Sequence, residues 1–295
     1  MSRTELECPE CGSHAPPAFV QPPPRIYQCD RCGARTPHSE LRARHNYSQT
    51  HGLRGAPIVT SRSPSLVFIG SNTQYNGAST AEEILIENIY FDPAKYYVVF
   101  ATYSSSGTSP INSCTWDDSA SFFNRIYAEE LGGVSARVEC FLYTANFSAS
   151  SPGFSDLQIA FDSGYHPKSS CAAIYELVGV TGDMSVSNDP PLDQTYSGGA
   201  GSGVSTLPSA TMTDLGAINE LAVAHLGNKE TTANAAPVWG NGYQSLIRIG
   251  TNGGSQDVTM ALATKSPVGA LSSTASATLG TSVTWGLAVT PWRSA

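Results

Sequence analysis

From Ser65 onward the apolar residues come in short β-branched and aromatic runs, and turn residues separate each run from the next. No segment sustains a period of 3.6, so the pattern admits strands and excludes long helices. Candidate strands are Leu66–Ile69, Ile84–Phe91, Tyr96–Tyr103, Phe122–Ala128, Arg137–Thr144, Leu157–Phe161, Ala172–Val178, Leu221–His225, Leu246–Ile249, Val258–Ala263 and Val283–Thr290. Alternation is cleanest in Arg137-Val138-Glu139-Cys140-Phe141-Leu142-Tyr143 and in Asp257-Val258-Thr259-Met260-Ala261-Leu262. A period of two predicts one buried and one wet face for each. Thr80–Glu83 and Asp118–Phe123 each have room for a helical turn. Gly, Ser, Asn and Pro between the runs predict a mainly β protein, an antiparallel jelly-roll-like sandwich over residues 65–295. Residues 195–205 are expected to be a flexible connection inside that single sandwich, and no internal repeat shows at a fixed period.

Length and charge narrow the function classes. The 295 residues suffice for one large β domain or two ordinary ones. Charged residues are only 14%, so the surface must be largely Ser, Thr, Asn, Gln and Gly. The formal net charge of −8 excludes a protein that coats nucleic acid by charge. The start, Met-Ser-Arg-Thr-Glu-Leu-Glu-Cys, has neither the basic end nor the apolar core of a signal peptide, and no apolar run is long enough to span a bilayer. The expectation is a chain made in a reducing cytoplasm, with no membrane or nucleic-acid partner.

The first 45 residues are a block of a different kind. They hold six of the 16 basic residues, all Arg, together with Pro22-Pro23-Pro24 and few aliphatic side chains. Such a block cannot fold on an apolar core of ordinary size. It contains two Cys-x-x-Cys-Gly knuckles, Cys8-Pro9-Glu10-Cys11-Gly12 and Cys29-Asp30-Arg31-Cys32-Gly33. Two residues between thiolates let one tight turn aim both sulfurs at one ion, and the following Gly permits a positive-φ turn. Cys8, Cys11, Cys29 and Cys32 are therefore candidate ligands of one structural Zn²⁺, whose binding would supply the folding free energy of a zinc ribbon. A rubredoxin-like iron site is the alternative, disfavoured by the scarcity of aromatic residues. Residues 46–64 are polar and aperiodic and read as a linker or arm.

Catalytic motifs are missing. There is no phosphate loop, no His-Glu-x-x-His and no Gly-x-Ser-x-Gly elbow. His225 reads as a strand-end or core histidine and His166 as a loop residue. Asp117-Asp118 would point to opposite faces of a strand, and Cys114, Cys140 and Cys171 read as buried small apolar residues. Of the four tryptophans, Trp285 reads as sandwich packing. Trp239, in the Gly/Asn loop Val238-Trp239-Gly240-Asn241-Gly242-Tyr243, is with Tyr243 the candidate glycan contact.

The runs Val138–Tyr143, Leu157–Phe161, Ala172–Val180, Asn219–Ala224 and Thr284–Pro291 carry a further pattern. Through them, the stretch from about Ser119 to Ala295 resembles a β-sandwich module of tailed-phage structural proteins and some bacterial surface proteins. The resemblance implies a jelly-roll-like sandwich without catalytic residues, and the zinc ribbon in front departs from its pattern. What it implies is a non-enzymatic virion protein, a capsid decoration subunit on the capsid surface, homo-oligomeric, gripping the major capsid protein or another virion protein. Arg25, Arg31, Arg35, Arg42 and Arg44 would pair with acidic residues of that partner. The alternatives are a tail or receptor-binding component that binds host glycan and, third, a polysaccharide hydrolase.

Overall fold

A computed structural model of the chain describes residues 64–75, 83–92, 95–104, 111–116, 121–131, 136–143, 152–162, 167–180, 192, 197–213, 215, 220–230, 236–252, 257–268 and 272–294, and five short strands before them. The chain divides into two compact units, Met1–Val59 and Thr60–Ala295. In the first unit β1 (Leu6–Glu7) pairs antiparallel with β5 (Arg42–Ala43). β2 (Ala18–Phe19), β3 (Ile26–Gln28) and β4 (Arg35–Pro37) form a second antiparallel sheet. Cys8, Cys11, Cys29, Cys32, Arg25, Arg31 and Arg44 lie outside the described residues; Arg35 and Arg42 fall within β4 and β5.

The second unit contains β6 (Ser65–Tyr75), β7 (Glu83–Phe91), β8 (Tyr96–Ser104), β9 (Ile111–Trp116), β10 (Ser121–Glu130), β11 (Ala136–Tyr143), β12 (Gly153–Phe161) and β13 (Ser169–Val178). They are followed by β14 (Ser197–Gly198), β15 (Ala200–Ser205), β16 (Ser209–Thr213), β17 (Glu220–Glu230), β18 (Val238–Trp239), β19 (Gln244–Gly250), β20 (Asp257–Val268), β21 (Ser273–Thr278) and β22 (Val283–Trp292). Every pairing is antiparallel. The second half of the predicted helical turn at 118–123 is strand instead, since Ser121–Phe123 opens β10.

The strands before and after residue 180 make two sheet pairs rather than the single sandwich expected from the sequence. In the first half the strand order is β6-β13-β8-β11-β10-β9-β12-β7. The array folds at β10, which pairs β11 along most of its length but β9 at only two positions. Its two ends meet where Asn72 Nδ2 donates to the Leu85 carbonyl, 2.5 Å away. In the second half one sheet runs β15-β22-β17-β20-β19 and the other β14-β16-β21-β18. With β14 set aside as an added edge, the eight strands β15–β22 repeat the order of β6–β13. The glycine-rich segment 195–205 is thus not a free connection: it supplies β14 and β15, and Ala200–Ser205 pairs with β22 in full register.

The four sheets stack as four layers, and three large cores lie between them among the described residues, with a small cluster of Leu131, Ala136 and Val138 beside them. The first core lies inside the first half, with Ile84, Phe91, Val99, Tyr103, Trp116, Leu157 and Ile174 among its members. A second, inside the second half, holds Met212, Leu226, Tyr243, Trp285, Leu287 and Val289. The third joins the halves: Val98, Phe100, Cys140, Leu142, Cys171, Tyr175 and Leu177 pack on Leu221, Val223, Val258, Met260, Leu262 and Trp292. Side chains of that size contribute roughly 1.5–3 kcal/mol each when fully buried, so the halves form one cooperative body.

This stacking overturns the wet face predicted for two strands. In β11, Arg137 is 8% exposed and Glu139 0%; in β20, Asp257 is 3% and Thr259 4% exposed. Both strands lie in inner sheets, where alternation separates two different cores rather than core from solvent. In β8, Tyr97, Val99, Ala101 and Tyr103 serve the first core while Val98 and Phe100 serve the third.

The two inner sheets meet reciprocally. β13 lies against β20, β11 against β17 and β22, and β8 against β17 and β20. Counting strands within each half, third meets third and eighth meets sixth in both directions, the pattern of an isologous two-fold contact.

Candidate functional site

Where β10 leaves one sheet for the other, the first half opens. β10 pairs β9 at Ser121↔Trp116 and Phe122↔Thr115, then turns to β11, with Arg125 opposite Phe141 and a bulge between Arg125 and Tyr127. Beyond Thr115 no strand covers that edge of β9 among the described residues. The result is a cleft of about 780 Å³ lined by Ile111, Asn112, Ser113, Cys114, Phe123, Arg125, Phe141 and Asp162. Bulges recur where strands switch direction beside sites.

Arg125 spans the gap. Its Nη2 donates to the Ile111 carbonyl of β9 at 2.5 Å, and its Nε sits 3.0 Å from Glu139 Oε2 of β11. Its guanidinium lies 5.6 Å from the centre of the Phe141 ring. Glu139 is fully buried and also accepts from the Tyr103 hydroxyl. Burial, then the Glu139 charge, pushes the Tyr103 phenol far above its ordinary range, so it is a permanent donor. Arg125 keeps 38% of its side chain exposed at the mouth, and Asn112 and Asp162 are exposed beside it. Cys114 is 1% exposed, and burial alone pushes its thiol well above the usual value. It is a wall of the cleft, not a nucleophile. Cys140 and Cys171 lie in the core between the halves, free and buried as the sequence indicated, and burial is the main cause that pushes their thiols up. Among the described residues no three His, Cys, Asp or Glu side chains group as a metal site.

The corresponding corner of the second half is closed. There β18 and β19 are joined by a tight turn with Asn241 at φ 55° and Gly242 at φ 81°, the positive angles such turns require. Tyr243, expected to be a glycan contact, is instead 5% exposed. Its hydroxyl meets Ser273 Oγ at 3.1 Å, and burial pushes its phenol up to about 12. The Trp239 indole is half-buried against the second core. Trp116, Trp285 and Trp292 are core residues. Neither β9 nor Asp162 stood out in the sequence. Ile111-Asn112-Ser113-Cys114-Thr115-Trp116 has too few β-branched apolar residues to announce a strand, and the only available signal was its weak alternation.

His225 lies between the halves, wholly buried. Its Nε2 is 2.9 Å from Thr102 Oγ1 and its Nδ1 2.8 Å from the Tyr127 hydroxyl. Desolvation lowers its pKa from 6.5 to about 3. The native ring is therefore neutral where the unfolded ring takes a proton. Its contribution is complete above pH 6.5 and is lost as pH falls towards 3. Stability should drop by about 1.4 kcal/mol per pH unit in that window. Urea midpoints at about pH 7 and about pH 5 will show that drop in the natural chain and a flatter slope in His225→Gln.

The chain matches no protein-family model, no curated protein and no solved structure.

Proposed function

We propose that this chain is a non-enzymatic structural protein of a phage particle, a capsid decoration subunit. The observation that carries the reading is the strand order shared by the two halves. Eight antiparallel strands in that order correspond to two Greek keys, the arrangement of jelly rolls, which recur in viral capsid and lectin domains. A tandem of two such sandwiches, fused through a shared apolar core, suits a rigid projecting body. Its low charge and the resemblance to tailed-phage modules point the same way.

In this reading the first unit is the anchor. The donor set of Cys8, Cys11, Cys29 and Cys32 suits Zn²⁺, since four thiolates close a tetrahedral shell and leave no position for water. The Arg-containing segment and the arm grip the coat, and the particle surface is where the protein resides. Elemental analysis of the purified chain should return one zinc ion per chain, and Cys8→Ser with Cys11→Ser should remove it while the thermal transition of the β body stays in place. Removing residues 1–45 should abolish incorporation into particles and leave the body folded. Particles still decorated by the truncated chain would refute the anchor.

The second reading, a tail or receptor-binding component that takes host glycan, is favoured by one observation, the open corner of the first half. Imaging of labelled particles separates head from tail.

A further inference from the structure

We propose that the corner cleft at β9, β10 and β11 is a saccharide subsite for a neutral, hydroxyl-rich sugar unit. The proposal deepens the second reading and rests on it. It relocates the glycan contact from the closed corner at Trp239 and Tyr243 to the open one.

The cleft has the size of a ligand site: about 780 Å³ lies within the range of roughly 300–1,000 Å³ typical of small-molecule pockets. Its floor is apolar, with Ile111 2%, Phe123 6% and Phe141 3% exposed, which suits the C–H face of a pyranose. Its rim is polar. Asp162 offers two acceptor oxygens to neighbouring hydroxyls, Asn112 both donates and accepts, and Ser113 does the same through one hydroxyl.

Charge selects against an acidic sugar. Among the described lining residues the one cation, Arg125, is already matched by Glu139 at 3.0 Å. Asp162 then leaves the lining with a surplus negative charge rather than a positive one. An anionic ligand would meet that carboxylate with no free cation to offset it among the described lining residues.

The site is also preorganised. The Ile111 carbonyl, Glu139 and the Phe141 ring fix Arg125 from three sides, so a ligand does not have to order a long side chain on binding. The opening itself follows from topology, because β10 cannot pair with β9 and remain in the inner sheet.

The test uses the full chain and saturation-transfer NMR with the methyl glycosides of glucose, galactose, mannose and N-acetylglucosamine, and with N-acetylneuraminic acid as the anionic probe. At least one neutral glycoside should receive saturation and N-acetylneuraminic acid none. Asp162→Asn and Asn112→Ala should each weaken that binding by about tenfold, the scale of one good hydrogen bond. Both residues are exposed, so neither change threatens the fold, which a thermal melt confirms. Phe154→Ala removes the exposed ring that pairs with Tyr90 at the other end of β12, and it should leave binding unchanged. Binding of a neutral glycoside that survives both cleft variants would overturn this site yet leave the glycan reading standing. Saturation by none of the neutral glycosides would end both. Preference for N-acetylneuraminic acid would overturn the charge argument and the proposal with it.

Discussion

Gly227→Ala should destabilise the β body by about 3 kcal/mol, the upper end of the range for overpacking a tight core. Gly227 sits on the face of β17 that meets the first half. A Cβ there would overlap Val138 Cγ1 and come within 3.0 Å of Thr102 Cγ2. Val138 is fully buried on β11, and the Thr102 hydroxyl is held by His225, so neither can move aside freely. The glycine is what lets the two inner sheets approach at this crossing. Denaturant midpoints will measure the loss. Making room with Val138→Ala should recover part of it, so the double variant will cost less than the sum of the single ones. A loss below about 1 kcal/mol would mean that the halves do not meet at this crossing.

Arg125→Met should cost a similar amount, about 3 kcal/mol, for a different reason. The ion pair itself is worth little, because 38% of the Arg125 side chain faces solvent and water screens it. The cost arises at Glu139, a fully buried carboxylate whose Oε2 loses its cation at 3.0 Å. Tyr103 still donates to Oε1, which keeps the loss at the lower end of what breaking a buried pair costs. Adding Glu139→Gln removes the charge that Arg125 had matched, so the double variant should be more stable than Arg125→Met alone. If the two changes are simply additive, Arg125 does not neutralise Glu139.

Strand identity was legible where strands carry large or β-branched residues. Ile84–Phe91 falls within β7, Tyr96–Tyr103 within β8 and Val283–Thr290 within β22. Strands built of small polar residues gave no such signal: Ala200–Ser205 fell in the segment expected to be a connection, and Ser209–Thr213 and Ser273–Thr278 were not among the candidate strands. Their partners make them strands, through full pairing with β22 and with each other. Missing them left the second half too few strands to stand as a sandwich. The repetition between halves was hidden for the same reason, since it resides in strand order and not in residue identity or spacing.

The cleft was illegible for a related cause. Ile111, Arg125, Glu139 and Asp162 are far apart in the chain, and only the passage of β10 between sheets brings them together. The expected contact, Tyr243, was misplaced because a Gly/Asn loop reads as exposed, whereas this turn folds the ring onto Ser273.

Period-two alternation, punctuated by turn residues, determined by itself that the large apolar runs after Ser65 form strands, because alternate side chains must part to opposite faces of any strand. What lies on each face is a different matter. Alternation cannot tell solvent from a second protein layer. Only the docking of one inner sheet on the other buries the apolar faces of Arg137–Tyr143 and Asp257–Leu262, while their polar faces turn inward, each within its own half. There each polar group had to find a partner within the protein, as Glu139 did with Tyr103 and Asp257 with Thr251.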